Sequence, residues 1–222
     1  MGQTRFASGR TLDVVCLGRM GVDLYAQQIG ARLEDVSSFA KYLGGSSANI
    51  AFGTARLGVK SAMVTRVGDD HMGRFLVETL AREGCDVSGI TVDAERLTAM
   101  VLLGIKDRET FPLVFYRENC ADMALNAEDI DEAQIASSKA LLITGTHFST
   151  DQVFQASSQA LDYAEKHHVK RVLDIDYRPV LWGLTSKADG ETRFVASQNV
   201  SQHVQSILPR FDLIVGTEEE FL

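Results

Sequence analysis

Apolar runs rich in β-branched residues recur along the chain at 12–18 (LDVVCLG), 61–68 (SAMVTRVG), 140–145 (ALLITG), 171–176 (RVLDID) and 212–216 (DLIVG). They lack the regular alternation of a strand with one face in water, and consecutive apolar residues are what a strand covered on both faces requires. Between them, over 47–57, 70–83, 150–167 and 193–208, apolar positions fall three and four apart, the spacing of amphipathic helices. Strands and helices in alternation predict an α/β sandwich around a parallel sheet. Right-handed crossovers then bring every strand's carboxyl end, and any ligand, to one edge of that sheet.

One region breaks the rhythm. The stretches 98–107 (TAMVLLGIKD) and 111–118 (FPLVFYRE) read as two strands joined by a short polar loop with no helix between, and 22–30 (VDLYAQQIG) is strand-like with clearer alternation. They predict a small antiparallel sheet, its strands within about 22–43 and 98–118, standing over the main sheet's edge as a lid.

The totals narrow the partners. A chain of 222 residues can bury a core, and its net charge of −8 argues against nucleic acid or an anionic membrane, each of which calls for clustered Lys and Arg. A small molecule is the better partner. The three cysteines, Cys16, Cys85 and Cys120, are far apart and form no CxxC pair, so a reducing cytoplasm is expected rather than a disulfide framework or zinc site. No run approaches the roughly 20 apolar residues of a membrane span. Residues 1–10 (MGQTRFASGR) are polar and read as a disordered leader, leaving 11–222 as the folded portion.

Chemistry concentrates in 42–73 (YLGGSSANIAFGTARLGVKSAMVTRVGDDHMG). Gly44 and Gly45 make a turn free of side chains, Ser46 or Ser47 can cap the helix that follows, and Asn49 sits in its first turn. Backbone N–H groups at such a start bind hydroxyls or anions, and an Asn amide offers both donor and acceptor to vicinal sugar hydroxyls. The run from Gly53 to Ser61 nearly spells a P-loop. It leads from helix into strand, the reverse of a phosphate cradle, with Val59 intervening between glycine and lysine.

Gly44-Gly45, Asn49, Ala51, Gly58 and Gly68 together resemble the N-terminal signature of the ribokinase, or PfkB, family of carbohydrate kinases, with Ser47 a mild departure. The resemblance implies a ribokinase-like three-layer sandwich with a β lid, ATP and Mg²⁺ as cofactors, a small sugar as substrate, and a homodimer through the lid strands. Asp23 matches the family's Asp that accepts sugar hydroxyls; Gly21, where ribokinases carry Asn, points away from ribose. Tyr116 and Arg117 look like the lid pair that contacts the acid end of the substrate in the sugar-acid kinase branch. In 173–182 (LDIDYRPVLW), Asp174, Asp176 in place of Asn, and Arg178 resemble that branch's D-x-N-x-R motif, Arg178 reaching substrate or phosphate. A guanidinium suits a carboxylate because it binds in a planar fork.

In 217–221 (TEEEF), Thr217 and Glu220 stand at the ends of an N-x-x-E-like motif that arranges Mg²⁺ through water. Acids at a helix start are also favoured by its dipole. His147 reads as a bystander and Trp182 as packing. The family's general base lies in a G-A-G-D stretch that does not occur in these residues, so the chain is expected to be the sugar-binding, lid-bearing portion of a sugar-acid kinase, with the C-terminal part missing and no activity of its own. The alternatives are a 2-keto-3-deoxygluconate kinase or fructokinase, and, from another class, a non-catalytic sugar-binding or dimerisation module.

Overall fold

The computed structural model describes residues 6–221. Its strands are β1 (Leu12–Leu17), β2 (Gly21–Ala26), β3 (Phe39–Gly44), β4 (Ser61–Gly68), β5 (Ile90–Asp93), β6 (Ala99–Leu103), β7 (Leu113–Tyr116), β8 (Ser138–Thr144), β9 (Lys170–Asp174) and β10 (Leu213–Val215). The helices are α1 (Ser46–Arg56), α2 (His71–Arg82), α3 (Glu132–Ala136), α4 (Asp151–Lys166), α5 (Gln198–Ile207) and α6 (Glu218–Phe221).

Six strands form the main sheet in the order β10-β9-β8-β1-β4-β5, every neighbouring pair parallel. The unalternating runs are buried on both faces. From β1, Val15 and Leu17 pack with Val153, Ala156 and Ala160 of α4, while Cys16 packs with Ala48 and Ala51 of α1 and Leu76 of α2. Two cores, one on each face, make the three layers. Register carries Leu17 beside Val64 and Ile143, and Asp174 beside Thr144 and Val215, so the turns after β1, β8, β9 and β10 share one edge.

The second sheet, β3-β2-β6-β7, corrects the expectation of an antiparallel lid. β2 with β3 and β6 with β7 are antiparallel, but β2 runs parallel to β6, Asp23 opposite Val101. Only directly linked neighbours are forced antiparallel by a short connection; β2 and β6 are separated by β3, α1, β4, α2 and β5, a return long enough for parallel pairing. The four residues of β5 lie on the main sheet's edge and are too short to register as an apolar run. The helix expected over 193–208 begins at Gln198, where the Ser197 side chain caps it (Val200 N–H to Oγ, 3.4 Å), and an irregular segment precedes it. Residues 1–5 of the expected leader lie outside the described residues. At its end, Arg10 donates to the carbonyls of Ala136 and His167. Among the described residues no helix is long and apolar enough to cross a membrane.

Candidate functional site

The lid arches over the carboxyl edge of the main sheet and encloses a cavity of about 200 Å³. Its floor is the edge itself. Arg19, directly after β1, is 7% exposed; its Nε donates to Thr146 Oγ1 (3.0 Å) and its Nη2 to Asp176 Oδ2 (2.5 Å). One guanidinium therefore ties together the turns after β1, β8 and β9. Burial alone would raise the Asp176 pKa, yet the Arg19 and Arg178 guanidiniums hold it below the usual carboxylate range. Asp176 sits at φ +40°, a left-handed conformation that Asp tolerates better than most residues. Arg178 Nε lies 3.8 Å from the other carboxylate oxygen, and its side chain is about one-third exposed to the cavity mouth.

The lid side is built by alternation. Asp23 on β2, Val101 on β6, and Leu113, Phe115 and Arg117 along β7 and just beyond face the cavity. Asp23 has no hydrogen-bond or ion-pair partner among the described residues; burial pushes its pKa up to about 6, against the pull of Arg19. A carboxylate held half-buried and unpaired is an acceptor waiting for hydroxyl protons. β3 ends directly beneath it: a Cβ on Gly44 would fall on the Asp23 carboxylate. Gly45, the cap position of α1, has φ +92°, and a Cβ there would come within 2.5 Å of the Arg19 carbonyl. Asn49, one turn into α1, lines the same cavity. Gly45→Ala is accordingly expected to lower stability by about 1–3 kcal/mol, read as a shift of the urea midpoint at unchanged slope.

Asp23, Gly45, Asn49, Arg117, Asp176 and Arg178 are thus brought together, with Gly44 as the clearance under Asp23. Tyr116 is not brought in. It is 57% exposed on the opposite side of β7 from Phe115 and Arg117, because successive strand residues point to opposite faces. Arg117 reaches the cavity from a buried base: its Nη2 pairs with Asp122, itself 1% exposed, while Nη1 has no partner among the described residues. His147 lies beneath this pair, fully buried, Nε2 3.3 Å from the Asp122 carbonyl. Burial and the Arg117 and Arg19 charges drive its pKa to about 3, so it is a neutral structural imidazole. Trp182 packs against the core cluster on the α4 side.

Thr217 and Glu220 lie beside the cavity rather than in it. Glu220 Oε1 accepts from the Tyr177 N–H (2.6 Å) and Oε2 from the Thr217 N–H (2.7 Å), pinning the turn after β10 to the turn after β9. Nearby, Asp174 has its pKa raised by burial and by Asp176 and Glu220. No group of three His, Cys, Asp or Glu among the described residues is arranged to hold a metal ion directly.

Two charged cavity residues escaped the sequence reading. Arg19 could have been found, since it follows the first strand at the edge where ligands gather. Arg193, expected as the first residue of a helix over 193–208, lies instead in the irregular segment before α5 and reaches the cavity from there.

The chain belongs to the pfkB family of carbohydrate kinases, whose profile matches residues 11–222. A 5-dehydro-2-deoxygluconokinase of Geobacillus kaustophilus (strain HTA426) is 37% identical over 217 residues, covering 97% of this chain and 61% of that protein. The chain therefore spans about 61% of the length of the curated relatives it matches. Among solved structures, a PfkB protein from Polaromonas sp. JS666 superposes with TM-score 0.81 at 28% identity, over 92% of this chain and 65% of that one. A ribokinase II of E. coli, solved with ATP and Mg²⁺, gives 0.80 at 20% identity, over 94% and 63%. The fold is ribokinase-like, as the resemblance implied.

Proposed function

We propose that this chain is the substrate-binding portion of an ATP-dependent kinase that phosphorylates the terminal hydroxyl of a sugar acid, 5-dehydro-2-deoxy-D-gluconate, in inositol catabolism. The observation that carries the reading is the charge pattern of one small cavity: four arginines, Arg19, Arg117, Arg178 and Arg193, face two acids, Asp23 and Asp176, in a chain that is acidic overall. An unpaired carboxylate suits sugar hydroxyls and the arginine wall suits an acid end. The activity borne by the name of the Geobacillus kaustophilus relative supports the same substrate.

Asp23 accepts hydroxyl protons in this reading, Asn49 and the α1 start bind further hydroxyls, and Arg117 with Arg178 orients the acid. Asp174 and the pinned Glu220, with Thr217 beside it, suit Mg²⁺ held through water, because both Glu220 oxygens already accept backbone N–H groups. Magnesium would neutralise developing phosphate charge. Three buried free cysteines fit a reducing cytoplasm. The lid face that carries Asp23 also carries Tyr25 and the 54%-exposed Tyr42, which meet edge to face, and this exposed aromatic surface suits a homodimer through lid strands.

Calorimetric titration of the chain tests the substrate. The acid is expected to bind at least roughly tenfold more tightly than D-fructose, the scale of one charge-assisted contact; equal or tighter fructose binding overturns the choice of a sugar acid. No ADP release above background is expected from these 222 residues with ATP and either sugar, since no G-A-G-D stretch is present. Turnover by the chain alone overturns that part of the reading.

A further inference from the structure

The irregular segment 183–197 crosses from the turn after β9 to the start of α5. It is fastened rather than loose. The Gly190 N–H donates to the Leu113 carbonyl of the lid strand β7 (3.1 Å), and Lys187 pairs with Glu118 just beyond that strand. The Asp189 side chain accepts from the Thr192 N–H (3.0 Å) and hydroxyl (2.7 Å). The Tyr177 hydroxyl donates to the Val195 carbonyl (2.5 Å), and the Tyr177 and Phe194 rings meet at 6.3 Å. Arg193 stands between these two fastenings, so its backbone is positioned by both the lid and the turn that carries Asp176 and Arg178.

The four cavity arginines are not equivalent. Arg19 is neutralised by Asp176 and Arg117 by Asp122, each a buried pair. Arg178 shares Asp176 at the longer distance of 3.8 Å. Arg193 has no hydrogen bond or ion pair among the described residues, although it lines the cavity beside Arg178. Burial and the neighbouring Arg193 charge act against Asp176 to hold the Arg178 pKa below the ordinary arginine value. Two guanidiniums at one mouth repel unless an anion lies between them, and such a gap is complementary to a planar group that each can fork.

We propose that Arg193, delivered by the fastened segment 183–197, closes a clamp with Arg178 around the carboxylate of the substrate and selects sugar acids over neutral sugars. The inference rests on the functional reading above and adds a residue to it. A carboxylate rather than a phosphoryl group is assigned because the segment is bonded to the lid strand and its arginine shares the cavity with Leu113 and Phe115, on the lid side. The acids Asp174 and Glu220 lie outside that cavity's lining. Arg193 acts here as a specificity residue in contact with substrate.

The test titrates the 222-residue chain calorimetrically with 5-dehydro-2-deoxy-D-gluconate, D-fructose and inorganic phosphate. Arg193→Gln is expected to weaken acid binding roughly tenfold or more while changing fructose binding less than about twofold, and Arg193→Lys to recover only part of the loss. Arg82→Gln, the same charge change on an exposed face of α2 outside the cavity lining, is expected to leave acid binding as it is. Arg193 is exposed, so the variants keep the fold, checked by circular dichroism. Acid binding that survives Arg193→Gln, a loss confined to inorganic phosphate, or an equal loss in Arg82→Gln each overturns the clamp and leaves the functional reading standing. Failure of the unchanged chain to bind the acid overturns that reading, and the clamp with it.

Discussion

Asp23→Asn is expected to abolish measurable sugar binding and yet to make the free protein more stable at neutral pH. The binding loss follows from geometry. Asp23 projects into the cavity with its carboxylate unpaired, placed to accept two hydroxyl protons, whereas an amide presents only one acceptor and puts N–H donors on the other side. Losing hydrogen bonds to a charged acceptor costs about 1.5–3 kcal/mol each, or at least roughly a hundredfold in affinity for two of them. The stability gain follows from electrostatics. A carboxyl whose pKa is raised from the ordinary 3.8 to about 6 binds its proton more tightly in the folded state than in the unfolded one. The wild type therefore loses stability as pH rises from about 4 through 6, and the loss is complete above that. Asn escapes this. The two proteins should unfold at similar urea concentrations near pH 4, with the variant ahead by about 1 kcal/mol at pH 7.5 once the solvent access of the site is discounted. A variant less stable than the wild type at pH 7.5 would show that the carboxylate has a protein partner. Sugar affinity of the wild type should also decline as pH falls through 6, as the acceptor becomes protonated.

Asp176→Asn is expected to have the largest effect on stability, a loss of about 3 kcal/mol, because it leaves the Arg19 guanidinium buried without a counter-charge. For a chain of this size that corresponds to roughly 6–12 °C in Tm. Asn is the informative substitution. It keeps the side-chain shape and tolerates the left-handed backbone at φ +40°, so the loss reports charge rather than strain. The depressed pKa gives a second signature: the wild type's advantage should persist at neutral pH and fade as pH falls below the ordinary carboxylate range, toward the folded-state pKa. Arg19→Met removes the other partner and should restore part of the stability in the double variant, since neither charge is then stranded. A double variant no better than Asp176→Asn would mean that the pair contributes little and that Thr146 and Arg178 carry the site.

The main sheet and its edge were legible because burial on both faces imposes a local pattern. LDVVCLG, SAMVTRVG and ALLITG cannot sit on a half-exposed sheet, and each became a parallel strand with both faces covered. Gly44-Gly45 were legible because a close approach of backbone to a side chain admits little but glycine, and Asn49 because it falls in the first turn of the helix they start; Asp23 stood out only through its resemblance to the family's hydroxyl-accepting Asp. Arg117 was visible as a residue but not its anchoring by Asp122, and Tyr116, paired with it by resemblance, lies on the other face because adjacent strand residues point to opposite sides.

By itself, then, the sequence determined the layer order, the helix and strand periods and the turn that carries the glycines, all of which depend on neighbours a few residues away. Only the tertiary structure decided that β2 runs parallel to β6, that Arg19 bridges three turns, that Glu220 is occupied by backbone N–H groups, and that Arg193 enters the cavity. Each of these joins groups far apart in the chain. No local periodicity encodes such a meeting, because its energy arises only when the edge of the sheet brings the partners into one poorly solvated space.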